Sequence, residues 1–274
     1  MSGSEKINSL LNLRRLLRHY YEWEAQTGDC MELMYEGPPT LEGREHRLRQ
    51  AAVRRMLKPE RGHKTLDVGC GEGHYVKSLF RSGSIAVGMD ISIGKLIRAR
   101  GRAGNGPAFT QGDALELPFK TATFHWVVLS EVAEHLPDPR GSLKEIARVI
   151  GEGGHAVISI PTWDGGAKAG IGVVEDGASI ARVVESQFGR PFEGHLWSFS
   201  GERFRELLNE SGLAPLIETP VRVFMPRWWR EMSAHIPVWL WRWLQNVADL
   251  TAGRWDITGG KARYLVYLTR RMGA

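Results

Sequence analysis

One stretch fixes most of what this chain can become: the apolar run and glycine-rich turn Leu66-Asp67-Val68-Gly69-Cys70-Gly71-Glu72-Gly73. It has the form of a strand end followed by a turn that opens a helix. Glycines let the backbone approach a ligand closely, and the first turn of the helix offers N–H donors to it. From Lys64 onward, β-branched or apolar runs alternate with stretches of helical period, the pattern of βαβ units and a mostly parallel sheet. Strands are predicted near 64–69, 84–90, 107–111, 124–129 and 154–160, and helices over about 73–81, 92–102 and 140–150. A helix from Ser200 to Ser211, with Ser200 as N-cap and Gly212 as stop signal, leads to a strand near 214–219. The last strand is predicted from Ala262 to Thr269.

The rest of the chain frames this unit. At 274 residues, with 42% hydrophobic and 24% charged side chains, it is long enough for one large α/β domain with additions. Ile7, Leu10, Leu11, Leu17 and Tyr21 fall on one side of a helical period and Arg14, Arg15 and Arg18 on another, which predicts an amphipathic helix from Ile7 to Tyr21. The turn-like Gly37-Pro38-Pro39 separates it from a second helix over Gly43 to Leu57. A glycine-rich stretch from Pro161 to Gly177 is read as a loop or lid. Between the final two strands, Val221 to Trp255 holds six of the ten tryptophans, with five arginines against two acidic residues. The organisation expected is a helical cap over 1–60, a nucleotide-type domain over 61–220, a Trp-rich insert over 221–258 and the last strand over 259–274.

Charge and cysteine usage set further bounds. The formal net charge of +5 is too mild to choose a partner. Only Cys30 and Cys70 occur, one of them inside the glycine-rich turn, so no disulfide framework is expected and a reducing, cytoplasmic setting fits. No stretch approaches the roughly 18 uncharged apolar residues of a spanning helix, and no secretory signal is visible at the N-terminus.

A dinucleotide loop wants G-x-G-x-x-G, and counted from Gly69 and Gly71 the third station is His74. The glycine falls one residue early, at Gly73. With that spacing, and with the motifs that follow it, the chain from about Lys64 to Leu213 resembles the class I S-adenosylmethionine-dependent methyltransferases. Within them it is similar to the small-molecule branch that includes the ubiquinone and menaquinone biosynthesis methyltransferases. The resemblance implies a Rossmann-like, seven-stranded, mostly parallel sheet with the last strand antiparallel, and S-adenosyl-L-methionine as cofactor.

The resemblance also carries residue roles. Asp67, Gly69, Cys70, Gly71 and Gly73 stand at its cofactor loop. Gly88-Met89-Asp90-Ile91-Ser92 ends the next predicted strand, where an acidic residue accepts hydrogen bonds from the two ribose hydroxyls. Asp90 takes that role, with Ile91 beside it; a helix-capping role is compatible. Gly112-Asp113-Ala114 corresponds to the segment around adenine, so Asp113 is expected at the amino group and Ala114 against the ring. The run Phe124 to Pro139 is similar to the fourth-strand region, which places Ser130 and Glu131 beside the methionine part of the cofactor.

His135 follows, and histidines there often face the reaction centre. Some members use Glu-x-x-Glu-His for a divalent ion, letters that Glu131, Glu134 and His135 reproduce, and many members without a metal carry them too. No metal is assigned here. Gly194-His195-Leu196-Trp197-Ser198-Phe199-Ser200 resembles the stretch before the helix that leads to the sixth strand, and His195 is a candidate general base there. His135, His195 and Glu131 are thus the proton-handling candidates, each with a packing or capping alternative.

Absent motifs narrow the acceptor. No [D/N/S]-P-P-[Y/F] follows the fourth strand, where Ser130-Glu131-Val132-Ala133 stands instead, and no nucleophilic cysteine follows the fourth or fifth strand. Nucleic acid is not expected as substrate. A small-molecule acceptor is, one that is apolar or lipid-like and methylated at oxygen or carbon; the alternatives are a natural-product, sugar or RNA acceptor, or a non-catalytic module that binds S-adenosylmethionine. The Trp-rich insert is read as core packing or a homodimer contact, as a peripheral membrane contact, or as a roof over an apolar acceptor.

Overall fold

The computed structural model describes residues 3–27, 41–162, 196–197, 199–221, 240 and 262–273. Two helices come first, α1 (Gly3–Thr27) and α2 (Leu41–Met56). Then β1 (Lys64–Val68), α3 (His74–Arg81), β2 (Ile85–Asp90), α4 (Ile93–Ala103) and β3 (Ala108–Gln111) alternate. β4 (Phe124–Ser130), a 3-10 turn (Ala133–His135), α5 (Pro139–Val149) and β5 (Ile150–Pro161) complete the parallel part. α6 (Gly201–Glu210), β6 (Leu213–Val221) and β7 (Tyr264–Arg271) follow.

The seven strands lie in the order β3-β2-β1-β4-β5-β7-β6. Neighbours from β3 to β5 pair in parallel, and β7 runs antiparallel to both β5 and β6, as expected for the last strand. Alternation along β4 shows why the sheet buries both faces. Val127 and Leu129 enter the core under α5 and α6, while Trp126 and Val128 enter the one under α2, α3 and α4. β6 contains Pro215 and Pro220, tolerated because it is an edge strand, and its register slips between Pro215 and Ile217.

The two N-terminal helices do different jobs. Ala52, Val53 and Met56 of α2, with Leu57 just after it, belong to a main core cluster. Leu13 and Leu17 of α1 form a small separate cluster with Leu196. α1 extends past the predicted Tyr21 end because polar contacts continue it: Glu22 accepts from the Ser92 hydroxyl at 2.9 Å and from the Gly94 N–H at 3.1 Å, and Arg98 donates to the carbonyl of Ala25. β5 begins at Ile150, where Phe124 pairs with it before a register irregularity, so it is longer than the predicted 154–160. Apart from Val221 and Leu240, the Trp-rich insert lies outside the described residues, as does nearly all of the glycine-rich stretch after Pro161. Among the described residues, no helix is long and apolar enough to cross a membrane.

Candidate functional site

The carboxyl ends of the parallel strands open, beneath α1 and α2, into a cavity of about 840 Å³. α1 supplies Arg14, Leu17, Tyr21 and Glu24, spaced at three or four residues so that they share one helical face. α2 supplies Glu45, His46 and Arg49, and the start of β7 supplies Arg263 and Tyr264.

Backbone conformation builds the glycine loop. Gly69 has φ +69°, and a Cβ there would stand 2.5 Å from Cγ2 of Val132, so the turn after β1 and the turn after β4 close on each other only without a side chain. Gly73 is the N-cap of α3 at φ +82°, packed against Ala99 and Phe109, and α3 therefore starts at His74. Gly71 lines the cavity, and a Cβ on it would meet nothing within 4 Å. That open cradle fits close approach of a ligand.

The cavity wall contains Gly69, Gly71, Asp90, Ile91, Asp113, Ala114, Glu131 and His135. It is built without Asp67, Cys70, Gly73 and Ser130, which were expected at the cofactor. Asp67 is buried inside β1, and both burial and the charge of Asp90 push its carboxyl well up. The Cys70 sulfur packs beneath the loop, 2.9 Å from where a Cβ on Gly88 would stand. The Ser130 hydroxyl lies between the hydroxyls of Ser159, at 2.8 Å, and Tyr75, at 3.2 Å. His195 lies outside the described residues.

Two carboxylates sit at the ends of β2 and β3. Asp90 accepts from the N–H of Gly71 at 2.8 Å and of Ser92 at 2.9 Å, which ties the glycine loop to the entry of α4. Ser92 in turn caps α4 through the N–H of Lys95. Asp113 accepts from the N–H of Leu115 at 2.9 Å and from Nε of Arg14 at 2.7 Å.

Past β4 the turn is strained and highly charged. Glu131 has φ +57°, a left-handed conformation rare for such a side chain. Its N–H donates to the carbonyl of Ser159 at 3.1 Å, the Ser159 hydroxyl donates to Oε1 at 2.9 Å, and Arg49 stands 3.2 Å from Oε2. Burial raises its carboxyl, against the lowering effect of Arg49. Glu134 is fully buried, neither carboxylate oxygen has a hydrogen-bond partner among the described residues, and burial raises it further. The Nε2 of His135 stands 3.7 Å from Oε1 of Glu134, and its ring meets Tyr21 edge-on with centroids 6.2 Å apart. Among the described residues, no three His, Cys, Asp or Glu side chains gather as metal ligands would.

The cap-side charges escaped the sequence reading. Of the aromatic residues at the end of α1, Tyr21 lines the cavity, Tyr20 is buried and Trp23 is 49% exposed. Arg49 lies beneath Glu131 with the Tyr264 ring 5.1 Å from its guanidinium carbon. Burial and the nearby Arg49 and Arg47 push His46 down to about 4, so its imidazole is neutral near pH 7. Burial and Arg54 do the same to His74. The helical period of α2 is the only signal for Glu45, His46 and Arg49, and it does not say which face meets the cavity.

Residues 66–158 match a family model described as a methyltransferase domain. A demethylmenaquinone methyltransferase of Corynebacterium kroppenstedtii is 37% identical over 107 residues, covering 39% of this chain and 45% of that protein. A 27-O-demethylrifamycin SV methyltransferase of Amycolatopsis mediterranei is 26% identical over 218 residues, covering 76% and 74%. The chain spans about half the length of the first curated relatives it matches, between 45% and 52%. Among solved structures, the Haloferax volcanii methyltransferase complexed with the activator Trm112 superposes with a TM-score of 0.57 at 18% identity, covering 85% of this chain and 94% of that one, which is a likeness of fold.

Proposed function

We propose that this chain, a class I S-adenosylmethionine-dependent methyltransferase related to the demethylmenaquinone and ubiquinone biosynthesis methyltransferases, transfers a methyl group to a small, apolar or lipid-like acceptor at oxygen or carbon. The observation that carries the reading is one continuous cavity. Its wall runs from Asp113, Asp90 and the open Gly71 to the charged turn at Glu131 and the cap-side residues His46 and Tyr264.

When bound, S-adenosyl-L-methionine supplies an electrophilic methyl carbon. The chain's task is to hold the acceptor atom in line with it and to exclude water. Asp90, Ile91, Asp113 and Ala114 hold the nucleoside side, and Gly69 and Gly71 let backbone approach it. Glu131 or His135 takes the proton that an oxygen or activated carbon acceptor releases, and His195 remains a third candidate. α1, α2 and the Trp-rich insert shape the acceptor end, with the insert also offered to a membrane surface or a second copy. The sparse cysteines support a reducing, cytoplasmic setting.

Calorimetric titration tests the cofactor: S-adenosylmethionine should bind and NAD should not. An acceptor screen over quinols, phenols and lipid-like alcohols, read by product mass spectrometry, tests the chemistry. With an acceptor in hand, His135→Gln and Glu131→Gln separate the proton-handling candidates. The one that does this work loses turnover by about 100-fold or more while keeping cofactor affinity.

A further inference from the structure

The cavity does not stop at the strands that carry the cofactor stations. Beyond Asp113, Asp90, Gly69 and Glu131 its wall continues to Pro161 on β5 and Tyr264 on β7, two residues that pair across the sheet. Adjacent strands are about 4.8 Å apart, so β7 lies about 10 Å beyond β4. With the nucleoside over β3 and β2, as the reading above has it, this is the end left for the acceptor. α2 walls it with Glu45, His46 and Arg49. The charges there are matched among the described residues: Arg49 stands 3.2 Å from Glu131, and Arg263 stands 3.3 Å from Glu45. Two neutral rings accompany those pairs, His46 next to Glu45 on α2 and Tyr264 next to Arg263 on β7.

We propose that His46 and Tyr264 hold the acceptor by an uncharged oxygen, a hydroxyl or a carbonyl, and that this end of the cavity discriminates against acceptors charged at that position. The inference deepens the function read above and rests on it. Tyr264 is fixed by pairing with Pro161 on one side and Val221 on the other, and its ring lies against the guanidinium of Arg49. Its hydroxyl makes no hydrogen bond to another described residue. Burial and the charge of Glu131 push its phenol up to about 12, so it keeps its proton. Burial, Arg49 and Arg47 hold His46 at about 4, so its imidazole carries no charge near pH 7. A neutral imidazole both donates and accepts a hydrogen bond, and so does a phenol. Together they match the one donor and the lone pairs of a hydroxyl. A carboxylate or an ammonium entering here would lose its hydration and find the facing charges already paired. The oxygen so held is either the methylated atom or the neighbour of a methylated carbon on an activated ring.

Three ligands with one apolar body and different heads test this: 1-naphthol, 1-naphthoate and 1-naphthylmethylammonium, titrated calorimetrically into the full chain loaded with S-adenosylhomocysteine. The wild type should bind the naphthol at least about tenfold tighter than either ion. Tyr264→Phe keeps the ring beside Arg49 and removes the hydroxyl, and it should weaken the naphthol about 2- to 10-fold, the worth of one hydrogen bond. His46→Phe should do the same, and His46→Gln should restore most of that loss. Affinity for S-adenosylhomocysteine should stay unchanged in all three variants. An ion that binds as tightly as the naphthol overturns the proposal, as does a wild type that binds none of the three ligands. So does naphthol binding unaffected by both the Tyr264→Phe and His46→Phe changes, or a loss matched by S-adenosylhomocysteine. The ranking of heads on the wild type decides the matter even where a variant fails to fold. A wild type that does not take up S-adenosylhomocysteine overturns the function reading itself.

Discussion

Arg14 on α1 donates its Nε–H to Oδ2 of Asp113 at 2.7 Å, across 99 residues of sequence, and its second nitrogen reaches Glu116 at 3.3 Å. The same aspartate is the one expected at the adenine amino group. The cap helix and the proposed nucleoside site therefore share a carboxylate, and what loosens one should be felt by the other.

Arg14→Ala should cost about 1 kcal/mol, the scale of a partly exposed pair, and lower the Tm by about 2–4 °C. α1 rests otherwise on a small apolar cluster and, towards its end, on polar contacts of Glu22, Glu24 and Ala25 with α4, so limited proteolysis near Arg14 should accelerate. Unchanged melting and unchanged cleavage would show that the contact does not hold the cap.

Gly69 and Gly71 should respond differently to alanine. At Gly69 the new Cβ meets Val132 at 2.5 Å on a backbone of φ +69°, so Gly69→Ala should destabilise the fold by about 2 kcal/mol or more. At Gly71 it meets no protein atom within 4 Å, so the loss is limited to about 1 kcal/mol of backbone strain. Gly71→Ala should instead weaken S-adenosylmethionine at least about tenfold by standing in the cradle, a steric cost of roughly 1.4 kcal/mol. Chemical denaturation and calorimetry on both variants check the contrast.

Stability should fall on mild acidification. His46 and His74 bind their protons near 4 in the fold against 6.5 for the free side chain, so between those values the unfolded chain holds more protons. Their contribution is full above about pH 6.5 and is lost as the pH drops towards 4, on the order of 2 kcal/mol per histidine. Urea unfolding at a series of pH values should show this slope, and His46→Gln or His74→Gln should each make it shallower. A slope unaltered by either substitution would contradict the burial of these rings.

Asp67 should behave in the opposite sense. Its carboxyl is raised by burial, so the fold holds a proton that the unfolded chain releases, and stability is lost as the pH rises through the raised value. Asp67→Asn, neutral and of the same shape, should be more stable than the wild type by about 1 kcal/mol or more at pH 8 and equal to it near pH 4. Equal stability at both values would mean that the aspartate is ionised in the fold.

Much of the frame was legible in the sequence because it is local. The runs at Lys64–Val68, Ile85–Asp90 and Phe124–Ser130 are short, apolar or alternating and bounded by turn residues, which favours strands. The N-caps Ser92 and Ser200 each accept a hydrogen bond three residues on, as their type predicts. Asp90 at a strand end and the glycine at 73 rather than 74 followed from spacing alone. Spacing left the placement of others open: Asp67, Cys70, Gly73 and Ser130 neighbour the cavity in sequence, and the wall itself is made by Gly69, Gly71, Asp90 and Glu131.

By itself, then, the sequence determined the parallel βαβ frame, the glycine loop and the acidic stations at the strand ends, since each depends on residues a few positions apart. Only the tertiary structure decided that β7 enters between β5 and β6, that Arg14 reaches Asp113, and that Arg49 and Glu131 meet at 3.2 Å with Tyr264 behind them. Such meetings depend on which helical face turns inward and on how the ends of distant strands converge. Residue periodicity marks a face as apolar or polar; packing against the sheet decides what that face meets.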